Sequence, residues 1–127
     1  MRTAKTLPAE PESVRKARNI VTAALLEVPC TPPMIEVARL LVSELATNSV
    51  RHAVSDTFTV EVDVDDEMAS VVVCDDDPTP VQRRAMPDPS ADGGRGLQLL
   101  DDLAEHWWCT ERRNPDGKGV GFELPCS

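Results

Sequence analysis

The chain has 127 residues, enough for one domain that buries its own core, since chains near this length bury roughly two-thirds of their unfolded surface. Its formal net charge is -9, from 22 acidic and 13 basic residues; that sign repels phosphate backbones and argues against direct nucleic-acid binding. The N-terminus has no signal-like apolar run and no window approaches the roughly 18 apolar residues of a membrane span, so the expectation is a cytoplasmic protein in which residues 1–127 form a single domain.

Residues 3–8 read as a short edge strand. Residues 12–27 read as a helix, because Val14, Ala17, Ile20, Val21, Ala24 and Leu25 recur at spacings of three and four. Pro29, Pro32 and Pro33 mark the loop that follows. A second helix runs from residue 33 or 34 to residue 53, with Thr31 as its cap and prolines that suit its first turn. Phe58, Val60, Val62 and Val64 alternate with Thr59, Glu61 and Asp63, the pattern of a half-buried strand. Asp65-Asp66-Glu67 turns the chain into a second strand at residues 69–75, and the two form an antiparallel hairpin.

Residues 78–93 hold four prolines and read as a long loop; loops of that length are often functional. Residues 97–103 read as a short helix. Residues 106–113 and 120–124 read as two last strands joined through Asn114-Pro115-Asp116-Gly117, with at least one of Trp107 and Trp108 in the core. Helices on one side and strands on the other give an α+β two-layer sandwich: a mixed, mostly antiparallel sheet with about three helices on one face. Cys30, Cys74, Cys109 and Cys126 form no CxxC pair and lack zinc-finger spacing to a histidine, so they read as reduced thiols, two or more of them buried.

The second helix carries the sharpest anomaly. At about 100° per residue, Met34, Val37, Ala38, Leu41, Val42 and Leu45 form one apolar stripe. Glu44 falls at its edge, and Asn48 and His52 fall inside it. Glu44 and Asn48 are four apart and stand one above the other. Burying such groups without partners costs on the order of 1–3 kcal/mol each. Either the helix end leaves the core and they meet water or the sheet, or they line a cavity and meet a ligand. A carboxylate and an amide oxygen are hard ligands suited to Mg²⁺.

Two further signals follow along the chain. Ala69, Val71, Val73 and Asp75 share one strand face by period two. Asp75 is then either an acceptor for an exocyclic amine or an ordinary turn residue of Asp75-Asp76-Asp77-Pro78. Asp92-Gly93-Gly94-Arg95-Gly96 precedes the short apolar helix. Glycines let a backbone approach a phosphate, and a helix N-terminus offers free N–H groups to it; the other reading is a hinge with a helix cap. The loop is neither a dinucleotide fingerprint nor a P-loop, since no strand directly precedes it and no GxxxxGK[ST] occurs.

In that order the sequence resembles the bacterial anti-sigma-factor serine kinase family, within the histidine-kinase-like (Bergerat) ATPase superfamily, from Ala9 to Pro125. The run Glu44-Leu45-Ala46-Thr47-Asn48-Ser49-Val50-Arg51-His52-Ala53 is similar to that family's N-box. The resemblance implies that Asn48 coordinates Mg²⁺, that Glu44 is the general base or orients the attacking hydroxyl, and that His52 belongs to the nucleotide site. Val73-Cys74-Asp75-Asp76-Asp77-Pro78 is similar to the second motif and gives Asp75 the adenine amino group. Gly94-Arg95-Gly96-Leu97 is similar to the phosphate loop, and Gly119-Val120-Gly121-Phe122-Glu123-Leu124-Pro125 resembles the closing strand.

The implied protein takes Mg²⁺ with ATP, phosphorylates a serine of a STAS-domain anti-anti-sigma partner, sequesters a sigma factor and forms a homodimer. Asp77 and Thr79 stand where the second motif, DxGxG, carries glycines. Asp92 and Gly93 stand where kinase-active relatives often carry an arginine, which leaves Arg95 as the nearby cation. Those departures support an alternative, a nucleotide-binding protein-interaction switch without kinase activity. A third reading is an α+β protein that binds no nucleotide.

Overall fold

A computed structural model of the chain describes residues 2–51, 56–75, 92–110 and 118–126. In chain order the elements are β1 (Arg2–Pro8), α1 (Glu12–Leu26), α2 (Pro32–Arg51), β2 (Thr57–Val64), β3 (Met68–Asp75), α3 (Asp92–Leu103), β4 (His106–Thr110) and β5 (Lys118–Pro125). The strands lie in the order β1-β2-β3-β5-β4. Every described pairing is antiparallel, which bears out the α+β sandwich with a mostly antiparallel sheet. The reason is the place of β5. The crossover β3–α3–β4 gives β4 the same sense as β3, but β5 runs between them and opposes both.

The three helices cover one face of the sheet. Phe58, Val60, Val62 and Val64 of β2, Ala69, Val71 and Val73 of β3, and Phe122 and Leu124 of β5 are buried there. Ala17, Val21, Ala24 and Leu25 of α1, Ile35, Ala38, Leu41, Val42 and Leu45 of α2, and Leu100 of α3 meet them. Each large side chain so buried contributes roughly 1.5–3 kcal/mol. Thr31 ends the α1–α2 connection as expected, since its carbonyl accepts the first helical bond from Ile35 N at 3.0 Å. Ser13 is buried near the start of α1, and its Oγ has no hydrogen-bond partner among the described residues.

The opposite face is polar. Thr6 and Thr59 share a hydrogen bond of 3.0 Å across β1 and β2, and Arg2 pairs with Glu61 at 3.3 Å. Val72 on this face is apolar and only 6% exposed. Gly121 is its partner in β5 and is in turn opposite Trp108 in β4. A Cβ on Gly121 would stand 2.5 Å from the Trp108 ring, so glycine is what lets the indole lie across the sheet. Trp107 faces the helices, packs partly buried against the core and donates from Nε1 to Asp101 Oδ1 at 2.6 Å.

The β2–β3 turn is closed by Asp65, whose Oδ1 accepts from the backbone N–H groups of Met68 and Glu67, each at 2.8 Å. Those two bonds, Met68's first, hold its carboxyl below the ordinary value. Of the four thiols, Cys126 alone is buried and the other three are half-buried, fewer than expected. Burial, and then the neighbouring Cys126 thiol, push the Cys30 thiol up to about 12.

Candidate functional site

The core stripe of α2 is Ile35, Ala38, Leu41, Val42, Leu45, Ala46 and Ser49. It is rotated from the stripe expected from sequence, because Met34 and Val37 are only half-buried. Along the described part of α2 the core face turns polar only at Ser49. Asn48 is half-buried roughly a quarter-turn from the centre of the core face, and Glu44, also half-buried, lies about 40° further round. The expectation that Asn48 lies inside the apolar stripe is corrected accordingly.

Backbone bonds fix which ends of the elements coincide. Thr31 N donates to Cys126 O at 2.8 Å, so α2 begins beside the end of β5. Pro125, at that end, is opposite Met68 at the start of β3, and Lys118 is opposite Asp75 at its finish. Thus α2 and β3 run in the same sense. At 1.5 Å per helical residue, Asn48 stands about 24 Å beyond Pro32; at roughly 3.3 Å per strand residue, Asp75 stands about 23 Å beyond Met68. Counted along axes of the same sense, the two positions fall toward the same end of the sheet.

The same reasoning places α3. Glu105 N donates to Glu123 O at 3.0 Å, which sets the end of α3 near the far part of β5. Counting back at 1.5 Å per residue carries Asp92 about 17 Å toward the Lys118 end. α3 is in contact with α2 and β4. The structure therefore brings three of the expected segments to one end of the sandwich: the last turns of α2, the finish of β3 and the first turn of α3.

α3 begins at Asp92, five residues earlier than the sequence pattern suggests, so residues 93–96 are the first turn of a helix and not a loop before it. The backbone N–H groups of a first turn have no intrahelical partner, and the helix dipole adds positive potential there. The positions of Gly94, Arg95, Gly96 and Leu97 are set by α3 and that of Asp75 by β3. His52, Asp77 and Thr79 lie outside the described residues.

Glu44 has a second environment. It lines an open groove of about 450 Å³ between α1 and α2, with Val14, Arg18, Arg39, Leu40 and Ser43 among its other walls. Arg18 Nη1 donates to Ser43 Oγ at 3.4 Å, and Ser43 Oγ donates to Arg39 O at 2.6 Å. Asn48, β3 and α3 do not line this groove. Four residues along a helix turn by about 40° beyond a full circle, so Glu44 and Asn48 are stacked neighbours, of which Glu44 lines the groove and Asn48 does not. The groove escaped the sequence because its two arginines come from different helices and carry no shared motif.

The donor set fits a hard cation held chiefly by substrate oxygens. Mg²⁺ takes one or two protein ligands, phosphates and water, not a dedicated acidic cage. Asn48 can offer one amide oxygen, and no group of three or more His, Cys, Asp or Glu suited to a metal occurs among the described residues. No helix among those residues is long and apolar enough to cross a membrane.

A family model described as the histidine kinase-like ATPase domain matches residues 7–122. No curated protein matches the chain.

Proposed function

Because the chain belongs to the histidine kinase-like ATPase domain family, we propose that it binds ATP with Mg²⁺ where α2, β3 and α3 converge, and that it is a protein-serine kinase. Its acceptor in this reading is a STAS-domain anti-anti-sigma partner, and it also sequesters a sigma factor. One observation supports the reading: by strand register and helix length, the last turns of α2, the finish of β3 and the start of α3 fall toward one end of the sandwich.

The roles follow from the chemistry of each group. Asn48 offers an amide oxygen to Mg²⁺, and Asp75 offers a carboxylate to the adenine amine. The first-turn N–H groups of α3, around Gly94, Arg95, Gly96 and Leu97, receive phosphate oxygens as helix N-termini do. In this reading His52, four residues beyond Asn48 in the sequence, also belongs to the nucleotide site. Mg²⁺, when bound, neutralises charge on the phosphates. Glu44 accepts or orients the proton of the attacking serine hydroxyl. Transfer of this kind depends mainly on positioning and charge stabilisation.

A second reading has one observation in its favour. Glu44 lines the α1–α2 groove, which suits a nucleotide-binding switch that passes its state to a protein partner without phosphoryl transfer. Incubation with labelled Mg-ATP and a panel of STAS proteins separates the two, with phosphoserine as the readout. Transfer that continues at the wild-type rate in Glu44→Ala overturns the role given to Glu44. Calorimetric titration tests the shared premise: no heat and no thermal shift at millimolar ATP overturns both readings.

A further inference from the structure

Two cysteines far apart in sequence meet at the end of the sandwich away from the α2–β3–α3 convergence. Thr31 N donates to Cys126 O at 2.8 Å, which holds the residue next to Cys30 against Cys126. Cys126 is itself fixed, with its N–H on Glu67 O at 2.8 Å and its thiol on Asp65 O at 3.7 Å. The Cys126 side chain is 1% exposed, whereas Cys30 is half-buried and packs against the same core. Burial, and then the nearby Cys126 thiol, raise the Cys30 thiol above its ordinary value.

The other two cysteines cannot do this. Cys74 is paired with Thr59 and Gly119, on the polar face, and its thiol donates to Glu61 Oε2 at 3.7 Å. Cys109 is opposite Val120, in the row that faces the helices. Strand β5 separates them, and they lie on opposite faces.

We propose that Cys30 and Cys126 form a reversible disulfide that clamps the α1–α2 connection to the end of β5. The oxidant is a low-molecular-weight disulfide such as oxidised glutathione. Cys30, the more accessible sulfur, loses its proton to solvent and attacks one sulfur of the oxidant. One small thiol leaves with the electron pair of the broken S–S bond, and a mixed disulfide remains on Cys30. Cys126 then loses its proton and attacks the Cys30 sulfur, which releases the second small thiol. Two protein thiols are oxidised by two electrons, and one small disulfide becomes two thiols. Burial keeps Cys30 protonated near neutral pH, and thiolate is the attacking form, so the uncatalysed reaction takes minutes to hours.

The bond closes a loop that spans most of the chain, the case in which a cross-link most restricts the unfolded ensemble. The melting temperature should rise by on the order of 10 °C on oxidation and return with dithiothreitol.

The test treats the full chain with oxidised glutathione, then denatures and alkylates it. Trypsin leaves Cys30 in residues 19–39 and Cys126 in residues 119–127. The expected result is these two peptides joined, with Cys74 and Cys109 still alkylated. Cys30→Ser should abolish both the joined species and the thermal shift, and Cys126→Ser should do the same with a glutathione adduct left on Cys30. Should Cys126→Ser fail to fold, Cys30→Ser alone decides. A stable adduct on wild-type Cys30 with Cys126 free, a joined pair involving Cys74 or Cys109, or an unchanged thiol count after a day overturns the proposal.

Discussion

The two ends of the sandwich satisfy their backbone in different ways. At the end where α2 begins, three segments are stitched to one another. Thr31 and Cys126 donate across to Cys126 and Glu67 carbonyls, and Asp65 caps two N–H groups of the β2–β3 turn. At the other end, α2 finishes, β3 finishes and α3 begins. A starting helix presents N–H groups that its own turns do not use. The first end has its polar groups matched within the chain. The second presents, among the described residues, first-turn N–H groups of α3 that its own helix does not use.

The harshest way to break that comparison is to weaken the layer common to both ends. Leu41 is fully buried in the middle of α2, and Leu41→Ala should cost about 2–5 kcal/mol, read by urea or thermal unfolding. If the two ends are separable, ATP affinity measured well below the melting temperature should change less than threefold. A loss of binding in step with stability would show that the site depends on the packing of the whole helix.

The next test acts at the open end alone. Removing one buried-side acceptor from a bound ligand costs about 1–3 kcal/mol, or roughly ten- to a hundredfold in affinity. Asp75→Asn should weaken ATP by that amount with Mg²⁺ or without it. Asn48→Ala should chiefly abolish the Mg²⁺ dependence of binding. Calorimetry with and without the metal checks both, and melting temperatures within a few degrees of wild type keep the effect at the site.

How far the sequence carried the structure depends on the kind of signal. The hairpin was legible because Phe58 to Val64 alternate and Asp65 supplies a turn, both local properties. The rotation of the α2 stripe was not, because Met34 and Val37 are as apolar as Ile35 and only the sheet beneath decides which are buried. The early start of α3 was hidden for a related reason. Glycines read as loop, yet a first turn tolerates them when the helix packs on α2 and β4. The order of Glu44, Asn48, Asp75 and the Gly93 run was visible in the sequence; their placement at one end came from strand register. The meeting of Cys30 with Cys126 left no sequence trace, since it depends on β5 finishing beside the start of α2.

A smaller effect belongs to Ser13. Its hydroxyl is buried with no partner among the described residues, and an unsatisfied polar group costs about 1–3 kcal/mol on burial. Ser13→Ala should therefore raise stability, by roughly 1 kcal/mol after the lost volume is counted, as read from denaturant midpoints. A clear fall would mean that the hydroxyl has a partner, such as bound water, and that this part of α1 is as well matched as the stitched end.

The smallest effect sharpens the comparison at the stitched end. Asp65 is fully exposed, and backbone bonds from Met68 and Glu67 lower its pKa from the ordinary 3.8. A depressed carboxyl stabilises the fold above its unfolded value, and that contribution is lost as pH falls through the folded value. Asp65→Ala should therefore lower the melting temperature modestly at pH 7. The gap from wild type should hold down to about pH 4, then shrink as the wild-type carboxyl takes up its proton. Thermal scans of both proteins across that range give the answer. A gap that stays constant through the acid limb would mean that the turn is held by its backbone pairing alone, with no share from the Asp65 charge.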